Sequence, residues 1–343
     1  MKKYIVSYKN SIKEALISLN DIASDVLTLF VVNEAEQMVG SLTDGDIRRG
    51  LISGARLEDP VCTIMHRDFR FIPKTEFNVA RIKEFRDSSI FFIPILDESN
   101  HIVDVINLRK YKSHLPIDAV LMAGGKGERL RPLTEKTPKP LLPVGDKCII
   151  DHNVDNLISY GIDNINVTVN YLGEQITEHY MTPRNGVRIR TFKEPKFLGT
   201  IGSVKFVDSF CNDTVLVMNS DLFTNIDYED FFLHFQSNEA EMSVAAVPYN
   251  VSIPYGILDL DGINIKGLQE KPKYNYYANA GIYLIKKNVL DEIPDNEFFN
   301  ATDLIDKLIS KNKKVIRYPL NGTWFDIGTP TEYQKALDFV KHI

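Results

Sequence analysis

Apolar positions along this chain follow two rhythms, and the place where one replaces the other divides it. The stretch LTLFVVNEAEQMVGSLTDGDIRRGL (residues 27–51) predicts a strand, a polar turn, a second strand and the start of a helix. The stretch IFFIPILDESNHIVDVINLRKY (90–111) repeats that layout about 63 residues later, matching Val32 with Ile95 and Val39 with Ile102. A helix-like segment precedes each copy, SIKEALISLND and NVARIKEFRDS, with apolar residues at i, i+3 and i+4. Around residues 112–116 the pattern breaks. From IDAVLMA onward, strand-like runs (NINVTVN, TVLVMNS, MSVAAVP, AGIYLI, KVIRYPL) alternate with helix-like segments such as IIDHNVDNLISYG. Such alternation predicts an α/β fold with a mainly parallel, doubly wound, Rossmann-like sheet over residues 116–343. Residues 1–115 read as a separate small α+β domain built on the repeat.

Length and composition narrow the picture. At 343 residues and 44% hydrophobic, the chain can bury cores for two or three domains. Its three cysteines, Cys62, Cys148 and Cys211, are far apart and show no zinc or disulfide spacing, so reduced thiols in a cytoplasmic protein are expected. No signal-peptide pattern and no 18-residue apolar run occur, which argues against secretion or a membrane partner. A net charge of -6 argues against a nucleic-acid partner. Against that background, residues 126–147 hold six basic and three acidic side chains.

That basic stretch lies within LMAGGKGERLRPLTEKTPKPLLPVG (121–145). A buried strand carrying Leu121 and Ala123 runs into Gly124, Gly125 and Gly127, a loop whose backbone can approach phosphates closely. Arg129 and Lys139 can neutralise a triphosphate and the charge that builds on a leaving pyrophosphate. The spacing rules out a Walker A loop, because Gly127 follows Lys126, and a GxGxxG fingerprint, because Gly124 and Gly125 are adjacent. A glycine turn followed by a solvated basic loop is the plainer reading.

The segment resembles the signature of the sugar nucleotidyltransferases, G-G-x-G-x-R-L-x-P-L-T followed by P-K-P-L-L-P-V-G. Further stretches resemble the same family in the same order, from residue 117 to the C-terminus. The resemblance implies the nucleotidyltransferase fold and the transfer of a nucleotidyl group from an NTP to a sugar 1-phosphate. It implies nucleoside contacts at Gly199 and Thr200, and Mg²⁺ ligands at Asp221 in VMNSDLF and Asp326 in WFDIGT. On the sugar side it implies Tyr255, Gly256, Glu270 and Asn279, with Lys271 on the sugar phosphate. Alone, Asp221 could equally serve a turn or helix cap, and Trp324 reads as core packing.

Residues 1–115 resemble a pair of CBS motifs, a regulatory or dimerisation domain. That resemblance places a possible adenine nucleotide at Thr43 and Asp46 and makes a homo-oligomer the expectation. The second copy, VINLRKY, lacks the Asp, and Asp46 as N-cap of the helix IRRGL explains that residue without a ligand. A CBS pair ahead of this catalytic domain resembles bacterial guanylyltransferases of surface-sugar pathways, including glucosamine-1-phosphate guanylyltransferases of the legionaminic acid type. GTP is therefore the expected nucleotide, with mannose 1-phosphate as alternative sugar and UTP, CTP or dTTP as alternative donors. A nucleotide-sensing protein with an inactive transferase half is the reading from another class.

Overall fold

Two reciprocal caps start the first helices. Ser11 accepts from the Glu14 N–H while Glu14 reaches back to the Ser11 N–H, opening α1 (Ile12–Asp21) after β1 (Ile5–Ser7). β2 (Thr28–Val32) and β3 (Met38–Thr43) follow, and Thr43 opens α2 (Asp44–Ile52) in the same way with Asp46. Then come β4 (Ile72–Pro73), α3 (Val79–Asp87), β5 (Phe92–Leu96) and β6 (Ile102–Asn107). In this computed structural model, which describes residues 2–341, these elements form one of two units, Met1–His114 and Leu115–Ile343.

The first unit holds two three-stranded sheets, β1-β2-β3 and β4-β5-β6, each with a central strand parallel to one neighbour and antiparallel to the other. Both hairpins carry a one-residue irregularity at matching places, after Val31 and after Ile95. Val32 pairs Met38 and Leu96 pairs Ile102, so Val32 corresponds to Leu96, one residue beyond the match expected from sequence. On a pleated strand that step exchanges the two faces, and the buried face fixes the register. The helix expected after β6 is replaced by a turn, in which Asn107 accepts from the Arg109 and Lys110 N–H groups at 3.0 and 3.3 Å. The N-cap of α2 is Thr43, and Asp46 sits at the third helical position.

In the second unit the strands are β7 (Asp118–Ala123), β8 (Pro143–Val144), β9 (Lys147–Cys148), β10 (Ile165–Val169), β11 (Ile189–Lys193), β12 (Thr214–Asn219) and β13 (Leu222–Thr224). They continue as β14 (Met242–Ser252), β15 (Ile257–Asp261), β16 (Asn264–Gln269), β17 (Lys273–Lys286), β18 (Val315–Pro319) and β19 (Trp324–Asp326). Its helices are α4 (Ile149–Ser159), α5 (Gly173–His179), α6 (Tyr228–Ser237), α7 (Ala301–Ser310) and α8 (Pro330–Val340). A seven-stranded sheet runs β11-β10-β7-β12-β17-β14-β18. The apolar runs that form β7, β10 and β12 are buried on both faces, as parallel strands between helices must be. One strand is reversed: β17 is antiparallel to both β12 and β14, so the sheet is mixed and mostly parallel.

β14 and β17 outrun the sheet. Their pairing continues through Tyr249–Tyr276 to Ser252–Lys273, a two-stranded arm exposed along β14 from Pro248 on. Beyond it β15 and β16 form a hairpin of their own. No helix among the described residues is long and apolar enough to cross a membrane.

Candidate active site

A cleft of about 640 Å³ opens at the carboxyl ends of β7 and β12, where an open α/β sheet offers its ligand crevice. Its walls include Met122 and Ala123, the loop from Gly124 to Arg129, Lys139, Asn170, Glu194, Gly199, Thr200 and Asn219 to Asp221. Leu121, expected with Ala123 among the nucleotide contacts, is fully buried and does not line the cleft, because it lies two residues further back along β7 from the glycine loop. Gly124 must lack a side chain, because a Cβ there would run into the Glu194 carboxylate. Gly127 adopts a left-handed conformation (φ 61°), and its carbonyl accepts from the Thr134 hydroxyl and the Leu130 N–H, which turns the loop back toward Lys139.

Lys139 is almost wholly buried, and its Nζ donates to Asp221 Oδ2 and lies 3.9 Å from Asp326 Oδ1. β13 and β19 bring the two carboxylates together: they pair antiparallel with Leu222 opposite Asp326, and the Ile327 N–H donates to the Asp221 carbonyl at 3.2 Å. Thr329 then caps α8, whose Ala336 packs with Leu130, Leu142 and Ile327 beneath the glycine loop. Burial, and next the charge of Asp221, push the Asp326 carboxyl above its usual range, with Lys139 and Arg129 opposing. The Arg129 guanidinium lies over Gly328, where a Cβ would meet Nη2 at 3.0 Å. Two carboxylates converging on one ammonium form a hard-oxygen donor set that suits a divalent cation.

A smaller cleft of about 260 Å³ shares Thr200 and Asn219 with the first and adds Asn279, Asn300, Trp324 and Asp326. Asn279 is held by its own bonds, donating to the Tyr283 hydroxyl and accepting from the Gly281 N–H, both at 2.9 Å. Trp324 is half-buried and donates from Nε1 to the Ala280 carbonyl at 3.0 Å, so it lines this cleft and is not the core residue expected from its type. Tyr255, Gly256, Glu270 and Lys271 line neither cleft. They flank the β15–β16 hairpin and are exposed, with Gly256 against the Glu270 carboxylate.

The fold also assembles groups that no sequence pattern marked. Glu194 is buried against the glycine loop, accepts from the Leu198 N–H at 3.1 Å, and has its carboxyl pushed up by burial. Away from the cleft, Cys148, Asp151 and His179 bring ligand-type atoms within 4.8 Å, a Cys/His pairing absent from the sequence reading. Asp151 there is already satisfied by His179, Tyr180 and Arg184 at 3.0 to 3.1 Å, an internal ion network. In the first unit, Thr43 lines a cleft of about 530 Å³ with Thr28, Ser41, His66, Arg70 and Arg109, whereas Asp46 is taken up by Thr43 and Arg49.

The profile described as Nucleotidyl transferase matches residues 118–342. The chain belongs to this family. Over 223 residues it is 32% identical to a Sulfolobus acidocaldarius protein provisionally named mannose-1-phosphate guanyltransferase, covering 64% of this chain and 62% of that one. A bifunctional protein GlmU from Methanocaldococcus jannaschii is 34% identical over 232 residues, 65% of this chain and 54% of the relative. The match thus spans somewhat over half the length of these curated relatives. Among solved structures, a Bacillus anthracis protein provisionally named glucose-1-phosphate thymidylyltransferase, crystallised with sucrose, superposes with a TM-score of 0.53 at 24% identity. That superposition covers 66% of this chain and 96% of the other, and it shows the shared fold.

Proposed function

We propose that the protein transfers GMP from GTP to a sugar 1-phosphate, yielding a GDP-sugar and pyrophosphate. The observation that carries this reading is the Lys139–Asp221–Asp326 constellation at the mouth of a glycine-lined cleft. Both substrates are polyanions, so their approach is opposed by repulsion that the site must offset. Asp221 and Asp326 would hold a divalent ion, which would supply Lewis-acid charge neutralisation to the phosphates. Arg129 and Lys139 steady the triphosphate and the departing pyrophosphate, and Lys271 orients the sugar phosphate for in-line attack on the α-phosphorus. No general base is required, because a phosphate monoester is already largely ionised near neutral pH.

Glu194 supports the choice of guanine. Its carboxylate is an acceptor only, and the Watson–Crick edge of guanine presents two neighbouring donors, whereas uracil and thymine offer one flanked by acceptors. The Sulfolobus relative's name points to the same base. Glucosamine 1-phosphate is the sugar we assign first and mannose 1-phosphate second, for nucleotide-sugar supply to surface-glycan synthesis. Incubation with Mg²⁺, pyrophosphatase, each NTP and a panel of hexose 1-phosphates, with products identified by mass, tests the assignment. A GDP-sugar supports it; a product with another base sinks the guanylyl part, and no product moves the nucleotide-sensor reading forward.

A regulatory nucleotide at the first unit, treated as a CBS pair, is a second reading favoured by its polar cleft with Thr43, Arg70 and Arg109. Calorimetric titration of the whole protein with ATP and AMP decides it. Binding abolished by Arg109→Ala supports it, and absence of heat removes it.

A further inference from the structure

The sugar-side groups lie at the two ends of one hairpin: Tyr255 and Gly256 precede β15, and Glu270 and Lys271 follow β16. Among the described residues these two strands pair only with each other, so both edges are open. Leu258 stands opposite Leu268 and Leu260 opposite Ile265, and cross-strand partners share a face. Asp259 and Asp261 alternate with them and lie on the other face. The apolar face is left in water: these four side chains are 49 to 63% exposed, and Ile263 at the tip is 98% exposed. On the adjoining arm Tyr249 opposes Tyr276, with Val251 on the same face, all three exposed.

A two-stranded hairpin is marginal in water unless its apolar face is covered. The five hairpin side chains present on the order of 600 Å², the upper end of the largest patch on a typical monomer. The three arm residues expose further uncharged side chains next to the hairpin in sequence, and a standard interface takes about 800 Å² per partner. None of these eight side chains is charged. Each chain carries a net charge of -6, so an uncharged face is where two identical copies can meet without like-charge repulsion.

We propose that this face docks onto the same face of a second copy of the chain, and that the contact sets the sugar-side groups in place. The first half concerns assembly alone; the second rests on the sugar-1-phosphate reading above. In a single copy Lys271 (φ 44°) and Glu270 line neither cleft, and the hairpin that carries them has no cover. Seating the hairpin on its counterpart removes its freedom to swing and fixes both ends at once.

Light scattering coupled to gel filtration, applied to the full chain, compares the wild type with the double variant Leu258→Asp/Leu260→Asp and with Ile263→Asp. The tip side chain of Ile263 is too exposed for its loss to disturb the protomer's own fold. The expected result is that both variants show half the wild-type mass, with circular dichroism unchanged. Their KM for the sugar 1-phosphate should rise about tenfold or more while KM for the NTP stays within about twofold. A monomeric wild type, or variants that keep the wild-type mass, overturns the docking. Halved mass with unchanged sugar KM overturns the coupling. If no form of the protein makes a nucleotide-sugar, the functional reading has failed, and the masses still decide whether the hairpin docks.

Discussion

At the scale of single residues, the charged groups that sit in a dense motif were legible and a charged group outside one was not. Arg129, Lys139, Asp221 and Asp326 stood out because their types and spacing suit polyanion chemistry, and the fold brings the first three to the larger cleft and Asp326 to the adjoining one, 3.9 Å from the Lys139 ammonium. Asp221→Asn or Lys139→Ala should lower turnover at least about a hundredfold, the scale of one lost charge stabiliser. A folded Asp221→Asn protein with near-normal kcat would remove the carboxylate from its assigned role. Glu194 gave no signal in sequence, since a Lys-Glu-Pro string is as ordinary on a surface as in a site; only burial against Gly124 marks it. Glu194→Gln replaces an acceptor-only group by an amide and should cut kcat/KM for GTP at least tenfold while narrowing or reversing its lead over UTP. The same substitution checks linkage. Burial raises the folded-state pKa of Glu194, so its contribution to stability is fully present below the ordinary glutamate range and is lost as pH rises through the folded value. The glutamine variant should therefore melt higher than the wild type at pH 7, and the gap should close toward pH 4. A gap that widened on acidification would contradict the burial argument.

At the scale of elements, hydrophobic rhythm located six of the seven strands of the large sheet and α4, but not β11 (Ile189–Lys193) and not the direction of β17. AGIYLI reads as any buried strand; its reversal comes from the arm and hairpin that lead into it, whose apolar faces are exposed and carry no core rhythm. The second copy in the first unit lost its helix for a local reason: Asn107 turns the chain where Thr43 in the first copy starts a capping box. Thr43→Ala should cost about 1 kcal/mol of stability, read as a fall in urea midpoint with unchanged slope. Gly124→Ala tests how tightly the glycine loop and Glu194 are fitted. Its Cβ would displace the carboxylate, so KM for the NTP should rise about tenfold or more with little change in melting temperature. An unchanged KM would show that the loop has slack.

At the scale of the whole molecule, the proposed reaction asks an acidic chain to capture two polyanions, and the net-positive segment 126–147 supplies Lys126, Arg129 and Lys139 to the cleft wall. Raising NaCl from about 0.05 to 0.5 M should lower kcat/KM for the NTP several-fold, because screening removes the local attraction. Insensitivity to salt would mean that capture relies on short-range contacts alone. The division of the chain was readable because helical and strand rhythms stop together near residues 112–116, whereas how the hairpin is covered depends on neighbours that no single sequence displays. With Lys139 seated between Asp221 and Asp326, the protein supplies its two carboxylates with a counter-ion of its own. Stripping divalent ions with a chelator should therefore leave the melting curve nearly unchanged while activity is lost and returns on readdition.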